Sequence, residues 1–178
     1  KKKNFKPRRT VFSAAIYAAA FIYQIFAPVA PLNFLIANGP KPFVLKDHRL
    51  SPMHPQGTIM TANPLAYQIK IVGFDKPIFH HLPDRYDLVR FMAENGSKEN
   101  AVVLGLPQEE IEIIEGTVFI NGIPDPDGWI DGPAINGSWP PETAGSRELL
   151  VATFNLGSID KINRIPLTKL IGKVEPFF

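Results

Sequence analysis

Histidine and aspartate are the residue types in this chain that could hold a metal ion or serve a catalytic triad. The histidines are His48, His54, His80 and His81. Neighbouring residues such as His80 and His81 point to opposite faces of a strand, so they do not readily share one ion, and we interpret them as part of a polar loop. Asp125, Asp127 and Asp131 lie in a glycine-rich stretch without the ordered spacing of a calcium loop. Cysteine is absent, which excludes disulfides, thiol catalysis and cysteine–zinc sites. We therefore expect no metal and no cofactor.

The first forty residues carry the clearest signal for location. Six lysines and arginines lie within residues 1–9, and residues 10–40 contain no charged side chain. About 20 apolar residues in a helix cross the hydrocarbon core of a bilayer, and Lys and Arg resist translocation. We predict a basic cytoplasm-side tail at 1–9, a single transmembrane helix at 10–36 and an extracytoplasmic domain at 41–178.

Two other interpretations of the apolar stretch remain open. A signal peptide has a shorter apolar region that ends in small residues, whereas Pro28, Pro31 and Asn33 follow the stretch here. A buried globular helix normally keeps a polar face over five turns, and this stretch has none. The transmembrane helix is the interpretation we favour.

Charge is distributed unevenly along the chain. The formal net charge is +2, but residues 1–9 carry +6, which leaves 13 Lys and Arg against 17 Asp and Glu in the rest. The basic tail suits anionic lipid headgroups. No basic stripe with interleaved aromatic residues remains for nucleic acid. We therefore expect the partners to be the lipid bilayer and other membrane-protein subunits, and we expect no nucleic acid.

Short strands are predicted throughout residues 41–178. The chain contains 18 prolines and 13 glycines, and those in this part leave little room for long helices. The clearest hairpin covers residues 110–124, where Ile and Glu alternate before β-branched residues and the Asn121-Gly122 turn. Further strands are predicted at 67–73, 86–92, 101–106, 149–154 and 170–174. Two proline- or glycine-rich stretches, 40–64 and 125–146, are predicted to be loops.

Five stretches in this part carry conspicuous short motifs. They are MHP at 53–55, RYDLVRF at 85–91, VLGLPQEEI at 103–111, VFINGIP at 118–124, and SID at 158–160 followed by PLTKLIGKV at 166–174. In this order they resemble the type I signal peptidase family of membrane-anchored serine–lysine endopeptidases. The family pattern has glycine at the positions of Tyr86 and Gln108. The resemblance implies a mainly β fold, a signal-peptidase-like domain of short antiparallel strands behind one N-terminal transmembrane helix.

The side chains that the resemblance would make catalytic are replaced in this chain. In the family, a serine hydroxyl attacks the scissile carbonyl, and a lysine amine accepts its proton. The serine position falls on Pro52 and the lysine position on Ala101. Ser158 and Asp160 match helper positions in the family, and we interpret them as structural hydrogen-bonding residues. The resemblance therefore implies a catalytically degenerate member of the family.

The function we favour is that of a non-catalytic accessory subunit of a larger membrane complex. One alternative is an active peptidase with a displaced dyad of Ser51 and Lys98, whose substrate would be a preprotein. That dyad requires two independent shifts, because a slip of one residue turns an extended side chain to the opposite face. Another alternative is a module that binds extended peptides along an exposed strand, beside Met53, without cleaving them. The sequence leaves open which membrane holds the protein.

Overall fold

The computed structural model describes residues 36–46, 50, 54–70, 77–125, 128, 137–155 and 158–177. The chain divides between Ala37 and Asn38, and the unit from Asn38 onward contains all the strands described below. The predicted tail at 1–9 and the predicted transmembrane helix at 10–36 lie outside the described residues, apart from Ile36. Within the described ranges, no helix has the length and apolar character that a membrane span requires.

Antiparallel strands form almost all of the regular structure in the described ranges. They are β1 (Lys41–Val44), β2 (Ile59–Asn63), β3 (Gln68–Ile69), β4 (Ile78–Phe79), β5 (Leu88–Met92), β6 (Lys98–Gly105), β7 (Glu110–Ile114), β8 (Thr117–Ile120), β9 (Ile123–Pro124), β10 (Trp139–Thr143), β11 (Glu148–Asn155), β12 (Ser158–Pro166) and β13 (Leu170–Pro176). Short 3₁₀ turns at Pro64–Ala66 and Leu167–Lys169 connect strands. The prediction of a mainly β domain of short antiparallel strands is confirmed.

The strands assemble into three sheets. A seven-stranded sheet has the order β1-β2-β13-β5-β6-β11-β12, a four-stranded sheet the order β10-β7-β8-β9, and β3 pairs with β4. Every pairing between the described strands is antiparallel. β1 and β12 are therefore the edges of the large sheet.

The central strands β6 and β11 are buried on both faces. Ala101 and Val103 of β6 belong to one apolar cluster, and Val102 and Leu104 belong to another. The second cluster also contains Ile111 of β7, so the four-stranded sheet contributes to it. Because both faces of these strands are covered, their sequences are continuous apolar runs without polar alternation. The side chains at the centre of β6 therefore lie in an apolar environment on both faces of the sheet.

The predicted hairpin turns form as expected. β7 and β8 are joined by Glu115 and Gly116, at φ angles of 49° and 84°. β8 and β9 are joined by Asn121 and Gly122, at 52° and 77°. Two consecutive residues with positive φ match the twist of the flanking strands. The prediction of the Asn-Gly turn from sequence is confirmed.

The prediction that residues 40–64 and 125–146 are loops is wrong in part. Strands β1 and β2 lie in the first stretch, and β10 lies in the second. β10 accommodates Pro140 and Pro141 because it is an edge strand, paired only with β7, and its register shifts between Trp139 and Glu142. Proline lacks the N–H that a central strand requires, but an edge or a bulge tolerates it. Strand β12 (Ser158–Pro166) is likewise not predicted from the sequence.

Tyr86 and Gln108 adopt backbone conformations that favour glycine. Their φ angles are 68° and 70°. A side chain in this region costs roughly 1–2 kcal/mol, since its Cβ approaches the following carbonyl oxygen. Neighbouring contacts hold both residues in place: the Tyr86 N–H donates to Val103 O at 2.7 Å, and the Gln108 N–H donates to Ala144 O at 3.2 Å.

Two motif glycines allow close contact between elements. A Cβ at Gly105 would lie 2.7 Å from Cγ1 of Ile111, and a Cβ at Gly172 would lie 2.5 Å from the backbone of Asn63. The second contact is with main-chain atoms, which cannot move aside as a flexible side chain can. The glycines of the GLP and IGKV motifs therefore serve the packing of strands.

We expect Gln108→Gly to stabilise the domain by roughly 0.5–1 kcal/mol. Relief of about 1–2 kcal/mol of left-handed strain outweighs the loss of about 0.5–1 kcal/mol that glycine brings through its freedom in the unfolded chain. The measurement is the free energy of unfolding in denaturant, with the full chain in a non-ionic detergent. Gln108→Ala is the matched control, because it removes the same side chain but keeps the Cβ. Equal stability of the two variants would contradict the strain argument.

Candidate functional site

Ala101 lies at the centre of β6 and is completely buried, with 0 % of its surface exposed. Its cross-strand partner is Val89 of β5, and both belong to the apolar cluster that includes Val103. A methyl group has no lone pair that could accept a proton. Ser51 and Pro52, the other residues of the predicted site, lie outside the described residues.

Lys98 lies at the exposed start of β6, three residues before Ala101. The register between β5 and β6 is unbroken from Lys98 to Val102, so Lys98 and Ala101 point to opposite faces of the sheet. Lys98 lines a small pocket together with Arg90 and Phe43. A lysine acts as a general base when its amine is desolvated, and Lys98 is solvent-exposed.

Ser158 and Asp160 lie at the start of β12. Ser158 is half-buried and faces Asn155 across the β11–β12 pairing. Asp160 is exposed and lines an open cleft of about 360 Å³ with Trp139 and Lys161. The structure thus places Asp160 at the sheet edge, on a strand separated from β6 by β11.

A charged cluster that the sequence analysis did not single out is centred on Asp87. Its Oδ2 accepts a hydrogen bond of 2.6 Å from the Tyr67 hydroxyl and one of 3.0 Å from the Asp84 N–H. Its Oδ1 lies 2.7 Å from Nζ of Lys173. The Asp87 side chain is 11 % exposed and that of Lys173 is 32 % exposed. Asp87 belongs to the RYD motif and Lys173 to the IGKV motif. The spacing of these motifs in the sequence does not indicate that the two side chains meet.

The Asp87 carboxylate raises the pKa of both neighbours, as the main cause for Lys173 and as a secondary cause for Tyr67. The hydrogen bond to Asp87 is the main cause that raises the pKa of Lys173, because it stabilises the ammonium form. Burial is the main cause that raises the pKa of Tyr67, and the hydrogen bond to Asp87 adds to the effect. Lys173 is therefore held as a cation and Tyr67 as a neutral phenol, so neither is poised to accept a proton.

A second ion pair joins the turn before β5 to the turn before β7. The guanidinium of Arg85 donates to both carboxylate oxygens of Glu109 at 2.9 Å and also to Leu104 O. Glu109 Oε2 in turn accepts from the Leu106 N–H at 2.7 Å. This bidentate pair satisfies both ionised groups. It holds the GLP segment in place and leaves no acid or base available for chemistry.

The histidines and aspartates do not assemble in the described ranges. Across those residues, no three His, Asp or Glu side chains converge as a metal-binding group. His80 and His81 are exposed, and Nε2 of His80 lies 3.0 Å from Leu65 O. Asp125 Oδ2 accepts from the Tyr86 hydroxyl at 2.5 Å. Burial lowers the pKa of His54, which favours its neutral form. His48, Asp127 and Asp131 lie outside the described residues.

Comparisons with known proteins give similarity to solved structures but not to a family model or a curated sequence. No family model matches the chain, and no curated protein matches it in sequence. Among solved structures, a signal peptidase I from Enterococcus faecalis V583 is similar to this chain with a TM-score of 0.41 and 15 % identity. The alignment covers 52 % of this chain and 97 % of that chain. At this level the similarity assigns no activity to the chain.

We expect the stability of the protein to fall as the pH rises above about 10. Tyr67 and Lys173 have ordinary values of 10.0 and 10.5, and both pKa values are raised in the folded state. The stability that these two groups contribute is therefore fully present below their pKa values in the unfolded chain. It is lost as the pH rises through their raised pKa values in the folded state. The measurement is the free energy of unfolding at a series of alkaline pH values.

Asp87→Asn should weaken the part of this alkaline loss that comes from Lys173, because the carboxylate that chiefly raises its pKa is removed, whereas burial still raises the pKa of Tyr67. Glu142→Gln is the matched control, since Glu142 pairs with Arg164 at the exposed surface, where ion pairs contribute little. An alkaline profile that is unchanged in Asp87→Asn would show that the cluster does not act as described.

Proposed function

We propose that this chain is a non-catalytic, signal-peptidase-like membrane protein that serves as an accessory subunit of a larger membrane complex. The observation that carries this proposal is the burial of Ala101 in the apolar core, at the position where the resemblance expects the lysine base. The proposal has three parts: the absence of peptidase chemistry, a retained scaffold, and a role in assembly.

The absence of chemistry is supported by the surroundings of Ala101. The described apolar residues around Ala101 include its cross-strand partner Val89 and Tyr67, whose hydroxyl is bonded to Asp87. Proline at position 52 has no hydroxyl, and Lys98 points to the other face of β6. A serine–lysine peptidase needs both a nucleophile and an adjacent base within hydrogen-bond reach. In this proposal, both were lost while the strand that carried the lysine was kept.

Retention of the scaffold is supported by backbone conformation at two family positions. The family pattern has glycine where this chain has Tyr86 and Gln108, and both residues have positive φ. The motif glycines Gly105 and Gly172 also lie where a Cβ would collide with a neighbouring strand. These positions serve the shape of the backbone and not the reaction. A chain that keeps the shape after losing the chemistry is expected to be selected for its structure.

A role in assembly is supported by the exposed edge of the large sheet. β12 is nine residues long and has no partner on its outer side among the described strands. Natural proteins usually shorten or cover such an edge, because its backbone groups can pair with another chain. Beside it lies an open groove of about 740 Å³, lined in part by Ile162, Asn163 and Ile165 of β12. In a membrane complex, a neighbouring subunit would cover this edge. The alternative role of binding an extended peptide was predicted beside Met53, which lies outside the described residues; in that alternative, the exposed edge of β12 is a second place for such a peptide to pair.

We expect the purified full chain to leave a preprotein uncleaved. The assay follows release of the mature product in detergent–lipid micelles, with an active signal peptidase as the positive control. Ser51→Ala and Lys98→Ala should give the same background as the unmodified chain, because neither side chain has a catalytic role in this proposal. Cleavage that disappears in either variant would instead establish the displaced dyad.

We expect the protein to leave its native membrane together with other membrane proteins. Extraction in mild detergent followed by size separation should place it in a species larger than the monomer. The amide hydrogens of β12 should exchange more slowly in that species than in the isolated chain, because a neighbour covers the edge. A monomer after extraction, with equally fast exchange at β12, would contradict the accessory role. Protection of β12 by an added extended peptide alone would favour the peptide-binding alternative.

A further inference from the structure

A small basic pocket lies on one face of the large sheet, away from the Ala101 cluster. It has a volume of about 110 Å³. Its described lining is Lys41, Pro42 and Phe43 of β1, Ala62 of β2, Arg90 of β5, Lys98 of β6 and Ile171 of β13. Three of these side chains are cationic, and none of the described lining residues is acidic. The pocket therefore concentrates positive charge without a described counter-ion.

Arg90 is the central feature of this pocket. Its guanidinium carbon lies 3.5 Å from the centroid of the Phe43 ring, a cation–π contact that fixes the plane of the group. The Nε atom is buried and has no hydrogen-bond partner among the described residues. Burial lowers the pKa of Arg90, which shows that the charged form loses hydration there. Arginine nevertheless stays protonated in proteins, so the pocket contains a partly desolvated cation.

Neighbouring side chains do not compensate this cation. Asn100 lies directly opposite Arg90 on β6, and its Oδ1 is also buried without a partner. Two other arginines of the domain have carboxylate partners: Arg85 pairs with Glu109, and Arg164 pairs with Glu142. A buried polar group without a partner costs free energy, and a charged one costs more. A ligand that supplied negative charge and acceptor oxygens would remove this cost.

We propose that this pocket binds a phosphate group. The guanidinium presents donors in a planar fork that matches two phosphate oxygens, and Phe43 holds that fork in one orientation. Lys41 and Lys98 add two mobile ammonium groups, so three positive charges face one polyanionic group. The proposal concerns a face of β6 opposite to Ala101, and it stands independently of whether the protein cleaves peptides.

Two sources of the phosphate group are compatible with this chemistry. Lys41 follows the end of the predicted span at residue 36 by five positions in the sequence, so an anionic lipid headgroup is one source. A free phosphate or a soluble phosphate ester is the other. Both present the same tetrahedral oxyanion, and the experiment below separates them.

The test measures thermal unfolding of the full chain in micelles of a maltoside detergent, which contains no phosphate group. Sodium phosphate is titrated at constant ionic strength, and in a second arm phosphatidylglycerol is added to the micelles. A ligand that binds only the folded state raises the unfolding midpoint. A rise with phosphate alone assigns a soluble source, and a rise with phosphatidylglycerol assigns the lipid source. No rise in either arm overturns the proposal.

Arg90→Met keeps much of the packing on Phe43 while it removes the charge. We expect phosphate to bind this variant at least about tenfold more weakly, because charge-assisted hydrogen bonds to the guanidinium are lost. Without phosphate, the variant should be no less stable than the unmodified chain, since a desolvated cation is removed. Arg147→Met is the control, because it removes the same charge from an exposed turn and should bind normally.

Lys98→Met is a second variant, and its use does not depend on whether the domain tolerates a substitution at Arg90. Removing the charge of this exposed side chain should weaken phosphate binding several-fold and leave the fold intact. Equal binding by the unmodified chain, Arg90→Met and Lys98→Met would overturn the proposal. Competition by acetate at the same concentration as phosphate would also overturn it, because the pocket would then be a general cationic patch.

Discussion

Burial of β6 and β11 on both faces is the constraint on which the rest of the domain depends. These two strands pair in the interior of the large sheet, and each contributes side chains to two apolar clusters. Packing in such a core is dense, so a charged group enters only with a partner. The central strand of this domain thus accepts alanine at position 101 without strain and would accept a lysine only with compensation. The dense apolar packing that stabilises the fold therefore disfavours a charged catalytic side chain at its centre.

Two polar interactions lie where the large sheet meets its connecting segments. Asp87 joins the start of β5 to Tyr67 and to Lys173 of β13. Buried Gln68 donates from Nε2 to Leu170 O at 2.9 Å, which links β3 to β13. Each of these interactions joins segments that are far apart in sequence. These interactions hold the connecting segments against the core, and the polar atoms involved already have partners there.

The large sheet has two chemically different surfaces near its first strands. One face of β5 and β6 carries the apolar cluster with Ala101, and the other carries Arg90 and Lys98 beside Phe43. Alternation of side chains along the strands produces this separation, because residues an odd number of positions apart point to opposite faces. Lys98 and Ala101 therefore belong to different surfaces. The basic pocket and the apolar cluster can evolve independently.

The sequence determined the local features of this protein. Asn121-Gly122 predicted its hairpin, the Ile and Glu alternation predicted β7, and the apolar run at 101–106 predicted most of β6. These features depend on residues close together in the chain, so pattern and backbone preference suffice.

Tertiary structure decided which distant residues meet. Asp87 and Lys173 are 86 positions apart, and only the pairing of β5 with β13 brings their charges together. The strand at Trp139–Thr143 contains two prolines, and only its place at a sheet edge makes that sequence a strand. Arg90 became a candidate ligand-binding residue because the folded sheet places Phe43 of the edge strand β1 against it. Such contacts follow from the order of strands, which local sequence does not encode because its preferences extend over only a few residues.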